Sequence, residues 1–249
     1  MKGWEKVADW YDKLTGEEGH YYQKEIIIPK ILHFLKDNKT KKVLDLACGQ
    51  GVLARALPQG VDYCGVDISS SLIKSAANLK KNNKHSFVIA DVTDDTFSLK
   101  EKDYDACTVV LALQDVKDVP GFLKNANKHL KSQGIMIIVM NHPCFRIPRQ
   151  SLWSVDEVHK MQSRQIKAYM SSLEVPIKVN PGQGEQAKEV VYHHQPLSVY
   201  SRHLFDAGFS IELIEEWTSN KQSTGPKAKM ENRARKEFPL FLCFVCRKR

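Results

Sequence analysis

The stretch Val43-Leu44-Asp45-Leu46-Ala47-Cys48-Gly49-Gln50-Gly51-Val52-Leu53-Ala54 decides the fold. Its first residues form a short apolar run that reads as a strand. Small residues at 47, 49 and 51 then let the backbone turn tightly and let a ligand approach it closely. A helix over 53–57 follows, with its first N–H groups facing the crevice. Outward from this turn, runs at 63–67, 85–90, 106–111 and 135–140 are near-continuously hydrophobic, as strands buried on both faces should be. Amphipathic stretches at 70–81 and 119–130 separate them, and Ser69 or Ser70 supplies an N-cap for the first. This β-α-β-α-β alternation predicts a parallel sheet with right-handed crossovers. With strands at 209–217 and 238–246 added, the expected fold is α/β. It is a Rossmann-like three-layer sandwich with a mostly parallel seven-stranded sheet and a reversed C-terminal strand.

The flanks divide the chain further. Residues 1–39 read as a helical segment covering the site, with a helix over 22–36 that Pro29 bends and an aromatic start including Trp4, Trp10 and Tyr11. Residues 40–141 and 197–249 form the core, the latter opening with a helix over 197–207 that Gly208 ends. Residues 142–196 read as an inserted cap, a helix over 155–170 and then a hairpin around Asn180-Pro181-Gly182-Gln183-Gly184. A long polar loop is expected at 218–237.

The 249 residues are 42% hydrophobic and 27% charged, which excludes wholesale disorder and collagen-like sequence. No apolar run reaches membrane-spanning length, and Met1-Lys2-Gly3-Trp4-Glu5-Lys6 lacks the apolar core of a secretory signal, so a cytoplasmic protein is expected. In that setting the six cysteines are expected as reduced thiols. Cys243 and Cys246, three apart in a strand, point to opposite faces, and no metal site is expected. The formal net charge of +8 first suggests nucleic acid. Residues 219–249 alone hold nine basic and two acidic side chains, however, so the excess is local and nucleic acid is disfavoured. Arg233 and Arg235 can meet an anionic acceptor if that segment folds over the site.

Gly49-x-Gly51-x-x-Ala54 also satisfies a dinucleotide fingerprint, and a nicotinamide cofactor stays open on those residues alone. The surrounding acids favour a cationic nucleoside. Asp45 precedes the turn, and Asp67 ends the second strand, placed to accept from vicinal ribose hydroxyls. Asp91 follows the third strand, placed for an exocyclic adenine amine with Ile68 and Val92 sandwiching the ring. The fourth strand exits through Leu111-Ala112-Leu113-Gln114.

This constellation resembles the class I S-adenosylmethionine (SAM)-dependent methyltransferases. The resemblance covers 40–140 and the terminal helix and strand pair. It implies Ala47, Cys48 and Gly49 along the methionine part of SAM, Asp67 on the ribose, and Asp91 with Val92 at the adenine. Tyr11, Asp45, Gly51, Ile68, Leu111 and Gln114 complete the expected cofactor set, and S-adenosylhomocysteine (SAH) would be the product. The whole chain also resembles a bacterial branch of the methyltransferase-11/25 type, through Trp10-Tyr11-Asp12, Gly19-His20-Tyr21-Tyr22 and His142-Pro143-Cys144-Phe145-Arg146. That likeness implies a reaction class without naming an acceptor.

Methyl transfer needs an aligned acceptor, exclusion of water and, for some acceptors, loss of one proton. His142, directly after the fifth strand, is the expected general base. Arg146, Arg149 and Trp153 at the cap's base suit an anionic or aromatic acceptor. Tyr21, His193 and His194 are further expected substrate contacts. The chain has Leu113-Gln114-Asp115-Val116 where Asn-Pro-Pro-Tyr would orient a planar amine, which lowers a nucleic-acid-base reading. A small-molecule O- or N-methyltransferase is the leading expectation, as a monomer or homodimer. A methyltransferase of RNA or protein, and a non-catalytic SAM- or NAD-binding protein, are the alternatives.

Overall fold

The computed structural model describes residues 3–179 and 187–249; the turn expected at 180–184 lies outside them. Strands β1 (Lys42–Leu46), β2 (Asp62–Asp67), β3 (His85–Ile89), β4 (Tyr104–Val110), β5 (Leu130–Asn141), β10 (Phe209–Trp217) and β11 (Phe241–Lys248) form one sheet. Its order is β10-β11-β5-β4-β1-β2-β3. β1 to β5 pair in parallel, while β11 fills the slot between β5 and β10 antiparallel to both.

Side chains alternate across this sheet because the strand period is two. Met136, Ile138 and Met140 of β5 join the core under helices α5 (Val119–His129) and α6 (Leu197–Asp206). Ile135, Ile137 and Val139 face α2 (Ile28–Asp37) and α3 (Val52–Ala56). Cys246 lies in the first core and Cys243 in the second, so the pair shares no site. α4 (Ser70–Leu79) begins at Ser69, whose hydroxyl accepts from Leu72 N. Before α2 comes a π-helical turn, Gln23–Ile27, closed by Ile28 N donating to Gln23 O. Pro29 sits in the first turn of α2, where its missing N–H is least costly.

Two expectations are corrected. Residues 155–170 form no helix: β6 (Ser151–Asp156) and β7 (Met161–Ile166) make an antiparallel hairpin, with Trp153 opposite Arg164. The cap is therefore two hairpins, the second being β8 (Leu173–Lys178) with β9 (Glu189–His194). The expected polar loop also contains a helix, α7 (Ala228–Glu237), whose buried residues are Met230 and Ala234. At the other end, α1 (Gly3–Thr15) lies across α4 and β9.

Candidate active site

The turn after β1 holds Ala47, Gly49 and Gly51 in left-handed conformations, at φ of 57°, 55° and 74°. A side chain at Gly51 would bring its Cβ within 2.9 Å of the Phe87 ring. Asp67, at the end of β2, fixes this turn: Oδ2 accepts from Gly49 N at 2.8 Å and Oδ1 from Ser69 N at 2.9 Å. Burial pushes the Asp67 pKa up against the lowering effect of these hydrogen bonds. Asp45 lies beneath, accepting from Tyr63 Oη and Thr108 Oγ1, each at 2.7 Å. Burial raises its carboxyl to about 6.

A cavity of about 370 Å³ opens at the carboxyl ends of the parallel strands. Of the expected residues, Tyr11, Ala47, Gly49, Asp67, Ile68, Val92, Leu111, Gln114 and Arg146 line it. Trp4 packs edge-to-face on Tyr11 at 5.5 Å, making α1 an aromatic wall. Ile177, Val190 and Tyr192 of the second cap hairpin form the roof. Gln114 Nε2 donates to Leu111 O, leaving Oε1 buried without a partner among the described residues.

Other expected residues lie elsewhere. Asp45 and Cys48 line a small recess behind the turn, where burial pushes the Cys48 thiol up and keeps it protonated. Gly51 packs against Phe87 and Ala76 rather than the cavity. Asp91 stands just outside, its Oδ1 accepting from Thr93 N and Thr93 Oγ1 at 2.9 and 2.6 Å. His142 does not face the crevice: it is 2% exposed, with Nε2 2.6 Å from Glu216 Oε1 and Nδ1 accepting from Cys144 N. A ring held at both nitrogens has no free site for a substrate proton. His194 is turned into the protein, donating through Nε2 to Tyr169 O, and His193 Nδ1 lies 3.8 Å from Glu174. Tyr192, one residue earlier, is the β9 aromatic that reaches the cavity. Tyr21 is 43% exposed under the Lys221 ammonium, and Arg149, at φ 61°, is on the surface.

Sequence reasoning missed Asp115. It lines the cavity at the end of a 3-10 turn, Leu113–Asp115, and its carboxyl has no hydrogen-bond or ion-pair partner among the described residues. Burial alone pushes its carboxyl well above the usual range. Its only sequence signal was an acid soon after the fourth strand.

Trp153 lines a second space of about 280 Å³, with Arg164, Lys221, Arg235, Phe145 and Phe238. Tyr22, Arg146 and Leu240 line both spaces, so the two adjoin. Among the described residues, no group of three or more His, Cys, Asp or Glu side chains could hold a metal ion, and no helix is long and apolar enough to cross a membrane.

The methyltransferase domain family matches residues 19–173. The ubiquinone biosynthesis O-methyltransferase of Rickettsia typhi is 29% identical over 145 residues, 55% of this chain and 58% of that protein. The chain thus matches little more than half the length of that relative. Among solved structures, an S-adenosylmethionine-dependent methyltransferase from Mesorhizobium loti superposes with a TM-score of 0.67 at 22% identity, over 88% of this chain and 96% of that one. A second, described as a putative enzyme of that kind from Listeria monocytogenes, gives 0.65 at 22% identity, over 87% and 97%. The glycine turn, the acid after β2 and the reversed β11 sit in a frame shared with those structures, and with well over half its length matched, this chain belongs to the methyltransferase domain family.

Proposed function

We propose that this protein transfers a methyl group from SAM to an oxygen or nitrogen of a small-molecule acceptor held in the roofed cavity. The observation that carries this reading is the continuity of that cavity, from the Gly49–Asp67 corner to an aromatic chamber under α1 and β9. The residues present fit a cationic nucleoside. Asp67 keeps lone pairs for ribose hydroxyls after binding Gly49 N and Ser69 N. Ile68 and Val92 offer apolar faces for a purine, and the orphaned Gln114 Oε1 awaits a donor. A pyrophosphate would instead meet two carboxylates, Asp67 and Asp115, beside a helix of only five residues.

SAM supplies an electrophilic methyl group on a cationic sulfur. The protein's share is to align the acceptor, exclude water and accept its proton. Trp4, Tyr11, Val190 and Tyr192 close the chamber against solvent. Asp115 is the proton acceptor in this reading, because it lines the chamber and its carboxyl has no hydrogen-bond or ion-pair partner among the described residues, and burial raises its pKa above the ordinary carboxylate range. The named activity of the Rickettsia typhi relative supports a small acceptor and O-methylation. The roof over the chamber weighs against a folded RNA or protein acceptor.

Calorimetry with SAM, SAH and NAD tests the cofactor, and SAH release in the presence of fractionated small molecules, RNA and protein tests the acceptor. SAM and SAH binding with small-molecule-dependent turnover is expected. Binding of NAD without SAM would falsify the reading.

A further inference from the structure

The second space is walled by charges that cancel nothing. Arg146, Arg164, Lys221 and Arg235 line it, and no described carboxylate does. Arg235 has one distant acid, Glu231, at 3.8 Å. Arg164 is rigid: Nε donates to Phe145 O and Nη2 to Ser151 Oγ, both at 2.8 Å, while its guanidinium stacks 5.0 Å from the Trp153 ring. Arg146 makes no side-chain hydrogen bond or ion pair among the described residues. Burial, then the charge of Arg146, lowers the Arg164 pKa, so each cation feels the other. Around them, Trp153 and Phe145 each meet Phe238 edge-on, at 5.3 and 5.8 Å.

A fixed guanidinium, Arg164, with further cations beside aromatic edges suits a planar or tetrahedral oxyanion carried on an organic body. Bulk water and salt can screen these cations, but they cannot explain why four separate segments of the chain bring them together. The groove also adjoins the inner cavity, sharing Arg146, Tyr22 and Leu240 with it. We infer that this groove is an oxyanion subsite, so that the methyl acceptor carries a carboxylate or phosphate at the end remote from the methylated atom. The inference rests on the inner cavity being the methyl-transfer site. It makes the acceptor an anionic amphiphile: its reacting hydroxyl or amine lies near Asp115, its apolar body under the roof, and its anion against Arg146 and Arg164. Arg146 then stands at the junction as the specificity-determining residue.

The test is calorimetry on the full chain, with and without SAH. The probes are 3,4-dihydroxybenzoate against catechol, and phenyl phosphate against phenol, at constant ionic strength. At least one anion should bind roughly tenfold or more tightly than its neutral match, and which of the two does so distinguishes carboxylate from phosphate. Arg146→Gln should erase that preference, and Arg235→Gln, which does not line the inner cavity, serves as the control for SAH affinity. The Arg146 side chain holds no hydrogen bond or ion pair among the described residues, so its replacement should not unfold the cap. Arg235→Gln, on a different element, should weaken the same anion, and melting curves check both variants. Equal binding of anions and neutrals, or an undiminished preference in both variants, overturns the inference. So does an oligoribonucleotide that binds more tightly than either small anion and is lost in the same variants. Failure of SAH to bind counts against methyl transfer, while the anion preference still judges the groove.

Discussion

Glu5 of α1 accepts a 2.6 Å hydrogen bond from the hydroxyl of Ser69, the residue that caps α4. The same carboxylate takes Ser71 Oγ at 2.6 Å and Ser71 N at 3.3 Å. One side chain thus pins the aromatic wall of the cavity to the segment that follows Asp67. Asp12 adds a second pin, accepting from Ser75 Oγ at 2.8 Å.

Loosening this latch should speed ligand exchange. Glu5→Gln is expected to raise the SAH dissociation rate roughly threefold or more, read by stopped-flow tryptophan fluorescence. The Ser69 and Ser71 hydroxyls hold the Glu5 pKa at about 2, against an ordinary 4.5. A depressed carboxyl stabilises the latched state fully above its unfolded value, so the latch should weaken as pH falls from 4.5 towards 2. An unchanged rate in the variant would show that α1 is held by packing alone.

Asp67→Ala removes the acceptor for two backbone N–H groups as well as the proposed ribose contact. SAH affinity should fall at least about tenfold, and stability by about 1–3 kcal/mol. Titration calorimetry and urea unfolding separate the two effects. A variant that loses stability but binds SAH normally would reduce Asp67 to a turn residue.

Asp115→Asn keeps the shape of the side chain and removes its basicity. We expect kcat to drop on the order of a hundredfold with SAH affinity unaltered. Burial raises the Asp115 pKa, so the acid limb of the wild-type kcat/KM profile should lie above the ordinary carboxylate range. That limb should vanish in the variant. A retained limb would assign it to another group.

Asp45 predicts a pH dependence of folding with the opposite sign to Glu5. Burial raises its carboxyl from 3.8 to about 6, so its favourable contribution is complete below 3.8 and is lost as pH rises through about 6. The loss is of order 2–3 kcal/mol, and Asp45→Asn should flatten it. Urea midpoints measured across this range check the slope; an identical slope in the variant would refute the assignment.

The five parallel strands were legible because each carries a largely apolar run, and β1, β2, β4 and the second half of β5 are buried on both faces as such runs demand. The glycine turn and the strand-end place of Asp67 were legible because left-handed backbone and a strand-end acid leave marks on single residues, whereas the hydrogen bonds of Asp67 to Gly49 N and Ser69 N were not. The first cap hairpin was not. Met161, Gln162, Arg164 and Gln165 favour helix, and the strand form depends on contacts distant in sequence, such as Arg164 with Phe145 O. α7 hid for the opposite reason: its Lys- and Arg-rich sequence buries two residues and shows almost no apolar stripe. His142 was misread because position after a strand says nothing of side-chain direction, and Glu216 comes from a strand two places across the sheet. Asp115 carries no motif at all; only the roof above it makes its lack of a partner meaningful.

The slot filled by β11 has a consequence for how the molecule is made. Phe241 pairs with Asn141, so β5 emerges from the ribosome a hundred residues before its neighbour exists. Until β11 follows, β5 keeps an edge with unpaired backbone, and β10 adds a second once it has emerged, the kind of surface that chaperones bind and that recruits foreign strands. Leu240 and Phe241 also line the cavity, so its wall is complete only when this strand slides home. The cavity and the sheet are therefore finished by the same event.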